Sequence, residues 1–337
     1  MRIVVYLSLV LMLLGVSFAP VAAQDEVLTV YSGRGESLIG PILQRFTQDT
    51  GIQVQVLYGD TASVANQILE EGDNSPADVY IAQDAGALGA LAKAGRLAVL
   101  PNDIMERVEN PTYKSPDNLW VGLSARARVL VYNPDSLAAA GLELPASMLD
   151  LTNPEWRGLV GWAPTNASFQ AHITAMRVLL GDETAQEWLA GMVANEAVAY
   201  SGNSQVVEAV INGEVPVGLV NHYYLHRFLA EDPTITTTNY HFPDGDIGAL
   251  VNIAGAGVLN TSDQPGLAQR LILYLLGKDA QTYFAVETYE YPLVAGVEPS
   301  GELTPLSAIE VPDIDLSNLD DLETTLEMIE ASGALDR

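Results

Sequence analysis

Apolar residues along this chain recur with a period of two in short runs and of three to four in longer ones. The alternation of the two patterns lays out the fold. Val27-Leu28-Thr29-Val30-Tyr31 predicts a strand, Ser32-Gly33-Arg34-Gly35-Glu36 a turn, and the residues through Pro41-Ile42-Leu43-Gln44-Arg45-Phe46 a helix that Gly51 ends. Residues 52–56 alternate as a second strand, 63–71 form a helix, and Asp78-Val79-Tyr80-Ile81-Ala82 is a third strand. Repeated strand–helix units of this kind imply an α/β fold with a parallel sheet and right-handed crossovers.

After Trp120 the extended run at 121–133 is unusually long for one strand and carries Arg126 and Arg128 in its middle. A segment of that length suits a passage from one domain into another. A second series follows, with a strand at 158–162, helices at 169–180 and 185–192, a strand at 197–200, a helix at 206–211 and a strand at 215–220. Residues 249–259 form another long extended run, suited to the return, and 267–286 reads as helical. The expected organisation is two interleaved lobes, 27–128 with 256–310 and 129–255, joined by two crossing strands that hinge at 129–133 and 250–257. Residues 311–337 form an acidic tail, whose helix at 319–329 is expected to dock by Leu319, Leu322, Leu326 and Ile329.

Residues 3–19 are almost wholly apolar and follow Arg2, and Val21-Ala22-Ala23 precedes Gln24-Asp25-Glu26. The pattern predicts a cleaved signal peptide over 1–23 and a secreted, extracytoplasmic (periplasmic) mature chain. The alternative is an uncleaved membrane anchor. The chain has no cysteine, which excludes disulfides, thiolate metal sites, a cysteine nucleophile and a lipidated cysteine. A formal charge of −28 argues against nucleic acid and anionic lipid as partners and attracts cations. No G-x-S-x-G or H-E-x-x-H sequence occurs, so no catalytic constellation is legible and the expectation is a protein that is not an enzyme.

The candidate chemistry gathers where strands give way to helices, the place where open α/β sheets bind ligands. Tyr223-Tyr224 closes the run 215–220 at a polar Asn221-His222 corner and opens a helical pattern, so both phenols can face one cleft. Phenol oxygens are hard donors that a trivalent cation can deprotonate. Core packing is the alternative for the two rings. The turn at Arg34 exposes backbone N–H groups and suits an anion, or is an ordinary tight turn. Arg126 and Arg128 project from one face of their strand, either as structural ion pairs or as a fork for a carbonate- or phosphate-like anion. Asn166-Ala167-Ser168 and Asn203-Ser204 stand at two further corners, each readable as a helix cap.

These residues resemble the periplasmic ferric-ion-binding proteins, substrate-binding components of bacterial iron(III) ABC importers. The resemblance spans roughly 28–306 and rests on Thr29-Val30-Tyr31-Ser32-Gly33-Arg34, Ser75-Pro76-Ala77-Asp78-Val79, Leu123-Ser124-Ala125-Arg126-Ala127-Arg128-Val129, Asn221-His222-Tyr223-Tyr224 and Glu290-Tyr291-Pro292-Leu293. It implies a two-lobed periplasmic-binding-protein fold, type II-like, that closes on Fe3+ as a monomer and delivers it to an ABC permease in the inner membrane. Tyr223 and Tyr224 would ligate the metal. A synergistic anion, carbonate/bicarbonate or phosphate, would be held by Arg34, Arg126, Asn166, Ser168, Asn203 and Asn221. The chain departs from many members at Gly35-Glu36 and at Gln83, and it lacks a third tyrosine near Thr165-Asn166. Iron(III) with two phenolates keeps one positive charge, which a dianionic carbonate, or Glu36 with a monoanion, would neutralise. The rival is the same clamp holding phosphate, a phosphonate or a small organic anion.

Overall fold

The computed structural model describes residues 27–300 and 303–335, so the expected signal at 1–23 lies outside the described residues. The first βα series is β1 (Val27–Ser32), α1 (Glu36–Thr50), β2 (Gln53–Tyr58), α2 (Thr61–Glu71), β3 (Val79–Ala82), α3 (Ala85–Lys93) and the short α4 (Asn102–Met105). Then come the long β4 (Val121–Tyr132), α5 (Pro134–Ala139), β5 (Val160–Trp162), α6 (Ala167–Leu180), α7 (Asp182–Ala194), β6 (Val198–Ala199), α8 (Asn203–Ile211), β7 (Val217–Asn221), α9 (Tyr223–Glu231) and β8 (Thr238–Tyr240). The chain returns through β9 (Val251–Val258), α10 (Pro265–Leu275), α11 (Lys278–Val286) and β10 (Tyr291–Pro292), and finishes with α12 (Leu322–Ala331).

The strands lie in the order β2-β1-β3-β9-β4-β7-β5-β6. β1 runs parallel to β2 and β3, and β7 runs parallel to β5, which is parallel to β6. Both long strands are antiparallel to their neighbours, a departure from the all-parallel expectation. The reason is connectivity: a strand that leaves one lobe and a strand that re-enters it must run in opposite directions.

β4 is the crossing strand. Through Ala127 it pairs with β9, and from Arg128 onward with β7. The handover is therefore at Ala127–Arg128, a little before the expected hinge at 129–133. β9 pairs with β3 and β4 along its whole length, so the return is complete by Val251 rather than at 256. One hydrogen bond, Arg128 N–H to the Leu250 carbonyl at 2.8 Å, joins the two crossing points. Eleven of the twelve β4 residues are buried, Ser124, Arg126 and Arg128 among them.

The 267–286 pattern proves to be two helices, because Gly277 is extended (φ −77°, ψ 157°) and starts α11 afresh. The tail helix starts at Leu322, capped by the Asp321 carboxylate. Leu319 therefore lies outside it, though buried; Leu326 is exposed, while Ile329 is buried as expected, with Thr325 beside it. Among the described residues no helix is long and apolar enough to cross a membrane.

Candidate functional site

β7 is buried throughout and ends at Asn221; one residue, His222, turns the chain, and α9 begins at Tyr223. Tyr223 and Tyr224 thus occupy the first two positions of a helix, where backbone N–H groups lack intrahelical partners and negative charge is favoured. Their rings stack at 4.4 Å between centroids and 27° between planes. The Arg227 guanidinium, one turn on, sits 5.0 Å and 5.5 Å from the two ring centres. Tyr223 is buried and Tyr224 partly exposed.

Burial, and after it the Tyr224 phenol, push Tyr223 above the ordinary phenol range, with Arg126 pulling it down and Glu290 raising it again. Charged groups from neighbouring segments thus act on the buried Tyr223 phenol. Two arginines approach it from β4. Arg126 donates through Nη2 to the carbonyls of Gln83 and Ile253, while its Nε and Nη1 are buried without a protein partner. Arg128 donates Nε to His172 Nδ1 at 3.2 Å and Nη1 to Asn221 Oδ1 at 3.1 Å, leaving Nη2 buried and unmatched. Burial lowers Arg128 to about 10, against the opposing pull of Tyr224 and then Tyr223. A buried donor without a partner costs about 1–3 kcal/mol, so three such nitrogens on the guanidiniums of Arg126 and Arg128 mark a place where an acceptor belongs.

The expected corner residues join this cluster through a chain of hydrogen bonds. Asn221 Nδ2 donates to Ser168 Oγ at 3.1 Å. Ser168 N–H donates to Asn166 Oδ1 at 3.0 Å, and Asn203 Nδ2 donates to the same oxygen at 3.0 Å. The carboxamide oxygen of Asn203 is buried and unmatched. Asn166 is also the cap of α6. The Asn166 oxygen thus both caps α6 and ties Asn203 into the chain of hydrogen bonds.

Two expected residues stand elsewhere. Arg34 is fully buried in an ion pair with Glu290, Nη2 lying 2.9 Å and 3.0 Å from the two carboxylate oxygens, and its Nη1 donates to Ser124 Oγ at 3.1 Å. The Arg34 charge is thus met within the protein, by Glu290. Glu36 is exposed and lies beside Tyr58, whose phenol it helps to raise after burial. Exposed on the first turn of α1, Glu36 gains no support from this arrangement for its expected place in the metal shell.

A different acid, Asp84, lies within the influence of Arg126. It caps α3 by accepting from Ala87 N–H at 3.3 Å, and its carboxyl is raised by burial and drawn back down by Arg126. The buried Oε1 of Gln83 beside it is unmatched. Both follow the C-terminal end of β3, the same kind of corner that singled out the tyrosines, and that rule applied once more would have found them. Glu290 carries no such signal in a chain of 43 acidic residues. Among the described residues no group of three or more His, Asp or Glu converges as a metal site; the phenols are the hard donors at this corner.

Residues 31–282 match the bacterial extracellular solute-binding protein family. The chain is 35% identical over 318 residues to an Fe(3+)-binding periplasmic protein of Serratia marcescens, covering 93% of this chain and 92% of that one. Iron-bound HitA from Pseudomonas aeruginosa superposes with a TM-score of 0.84 at 34% identity, over 91% of this chain and 99% of that chain. A Trichodesmium protein in complex with iron and citrate ligands superposes with a TM-score of 0.77 at 28% identity, over 91% and 99%.

Proposed function

This chain belongs to the ferric-ion-binding periplasmic branch of the bacterial extracellular solute-binding proteins, and from that premise we propose that it captures iron(III) between its two lobes through Tyr223 and Tyr224, together with a synergistic anion. The observation that carries the reading is the tyrosine pair at the start of α9, together with three buried guanidinium nitrogens of Arg126 and Arg128 that have no protein acceptor.

The chemistry follows from charge. Two phenolates leave iron(III) with one positive charge, and Arg126 and Arg128 bring two more into a largely buried site. Asp84 offsets one of them. A dianion with several oxygens, such as carbonate, a hydrogen phosphate or a chelating carboxylate, would ligate the metal on one side. Its remaining oxygens would accept from the Arg126 and Arg128 donors and the N-termini of α6, α8 and α9. Asn166, Ser168, Asn203 and Asn221 hold Arg128 and these helix starts in register. Arg34 acts indirectly, by fixing Glu290. The metal enters an open form and is enclosed by rotation about Ala127–Arg128 and Leu250–Val251, the closed arrangement being favoured by ligands from both lobes. The loaded protein, exported through the signal at 1–23 and acting as a monomer, delivers its cargo to an ABC permease.

Titration of the iron-free protein with ferric ion, with and without bicarbonate, phosphate or citrate, tests the reading. A phenolate-to-iron charge-transfer band in the visible is the expected signature. Tyr223→Phe and Tyr224→Phe should each lose most of that band and bind at least ~100-fold more weakly, beyond the usual cost of an outer-shell change. Unaltered binding in both variants would refute it.

A further inference from the structure

His222 is the single residue between β7 and α9, and its backbone is already helical (φ −53°, ψ −40°), yet its side chain does not cap the helix. It reaches across to other elements. The Ala127 N–H donates to His222 Nδ1 at 3.2 Å, and the His222 N–H donates to the Ala127 carbonyl at 3.0 Å. One residue therefore holds the Ala127 peptide unit through both ring and backbone, at the position where β4 passes from β9 to β7.

Because Nδ1 accepts, its lone pair is in use and the ring proton belongs on Nε2. That N–H meets the Tyr289 carbonyl at 2.8 Å. Tyr289 has φ 56°, in the left-handed region, a conformation that persists in a non-glycine residue only when its surroundings hold it. The next residue, Glu290, carries the buried ion pair to Arg34, and β10 beyond it pairs with the first half of β4. The imidazole also stacks on Tyr291 at 4.6 Å and 28°, and meets the Tyr223 ring edge-on at 5.7 Å and 89°. Asn239 Nδ2 holds the His222 carbonyl at 2.9 Å.

We propose that His222 is a positioning residue for the tyrosine pair: it registers the first turn of α9 against the hinge peptide at Ala127 and against the first lobe at Tyr289. The phenol oxygens then reach the metal with the correct aim when the two lobes are together. The inference rests on the iron reading above. Any buried imidazole needs partners for its ring nitrogens; what singles this one out is that its partners lie on two other segments of the fold, the crossing strand and the Tyr289 turn. Metal ligands are commonly aimed by such outer contacts.

The test uses the full mature protein as wild type, His222→Leu and His222→Gln. Leucine fills the space and offers no hydrogen bond; glutamine offers one N–H and one carbonyl to replace the two ring nitrogens. For His222→Leu the charge-transfer band should shift in wavelength, and iron affinity, read by competition with a chelator, should fall about 10- to 100-fold. His222→Gln should recover most of both. Melting of the iron-free forms separates loss of fold from loss of aim. If the leucine variant does not fold, His222→Asn, too short to span Ala127 and Tyr289, takes its place with the same expectations. A folded leucine or asparagine variant with wild-type band and affinity overturns the inference, as does a glutamine variant no better than leucine. A wild-type protein that shows no band overturns the iron reading and this inference with it.

Discussion

His172 shows how one buried ring can support a site it does not enter. It has no exposed surface; Nε2 donates to the Ile247 carbonyl at 2.7 Å, and Nδ1 accepts from Arg128 at 3.2 Å. Burial, and next the Arg128 charge, lower it to about 3. Unfolded, the ring titrates near ~6.5. Between those values the unfolded chain binds a proton that the folded one refuses, so acid destabilises the fold. Each pH unit lost in that window costs about 1.4 kcal/mol from this one group. The slope of stability against pH between ~6 and ~4 should flatten by about one proton in His172→Gln, read by denaturant melts across pH. In the sequence nothing beyond its place on a helix marks His172 for this role. A helix pattern does not say which neighbour covers a face. For the arginines, Arg126→Gln and Arg128→Gln should abolish most of the anion dependence of iron binding. Each should weaken it about 10- to 100-fold with anion present, the worth of one charge-assisted bond of about 1.5–3 kcal/mol. Equal titrations with and without anion in the wild type would contradict this.

At the scale of elements, the alternating periods located nearly every strand and helix that builds the site, because a buried strand and a one-sided helix each require their own spacing of apolar residues. They failed where a neighbour decides. Thr238–Tyr240 and Tyr291–Pro292 become strands by pairing with β4, and nothing local marks them. The tail is the clearest case. α3 presents Gly86 and Gly89 to its backbone, so closely that a Cβ at Gly86 would lie 2.1 Å from the Leu319 carbonyl oxygen and one at Gly89 2.3 Å from that of Ser317. Gly86→Ala should therefore push the tail off α3 and cost about 1–3 kcal/mol, like other overpacked sites. The melting temperature should fall, and limited proteolysis should cut ahead of α12 in the variant but not in the wild type.

For the whole molecule, the same tail spans both lobes. Lys93 on α3 pairs with Asp320 at 2.5 Å, and Arg177 on α6 pairs with the adjacent Asp321 at 2.9 Å. The two contacts are unequal. The Lys93 side chain is 56% exposed, so its pair is worth at most about 1 kcal/mol. The Arg177 side chain is 8% exposed and also donates to the Asp321 carbonyl, Thr325 and Asp182. Lys93→Ala should change stability by less than ~1 kcal/mol, whereas Arg177→Ala should cost about 2–3 kcal/mol. Equal losses in equilibrium unfolding would show that the strap is held otherwise. On the first lobe the tail is thus held by its close backbone packing on Gly86 and Gly89 rather than by the Lys93 ion pair.

Sequence alone determined the α/β alternation, the two lobes and the tyrosine corner. Each of these follows from local periodicity, or from a motif whose residues are neighbours in the chain. Tertiary structure decided which charges are already satisfied. Arg34 and Glu290 are 256 positions apart and meet in the interior, while Glu36, two residues from Arg34, faces solvent. A charge becomes a binding group only when the fold buries it and leaves it without an internal partner. That depends on long-range packing, and no spacing along the chain encodes it.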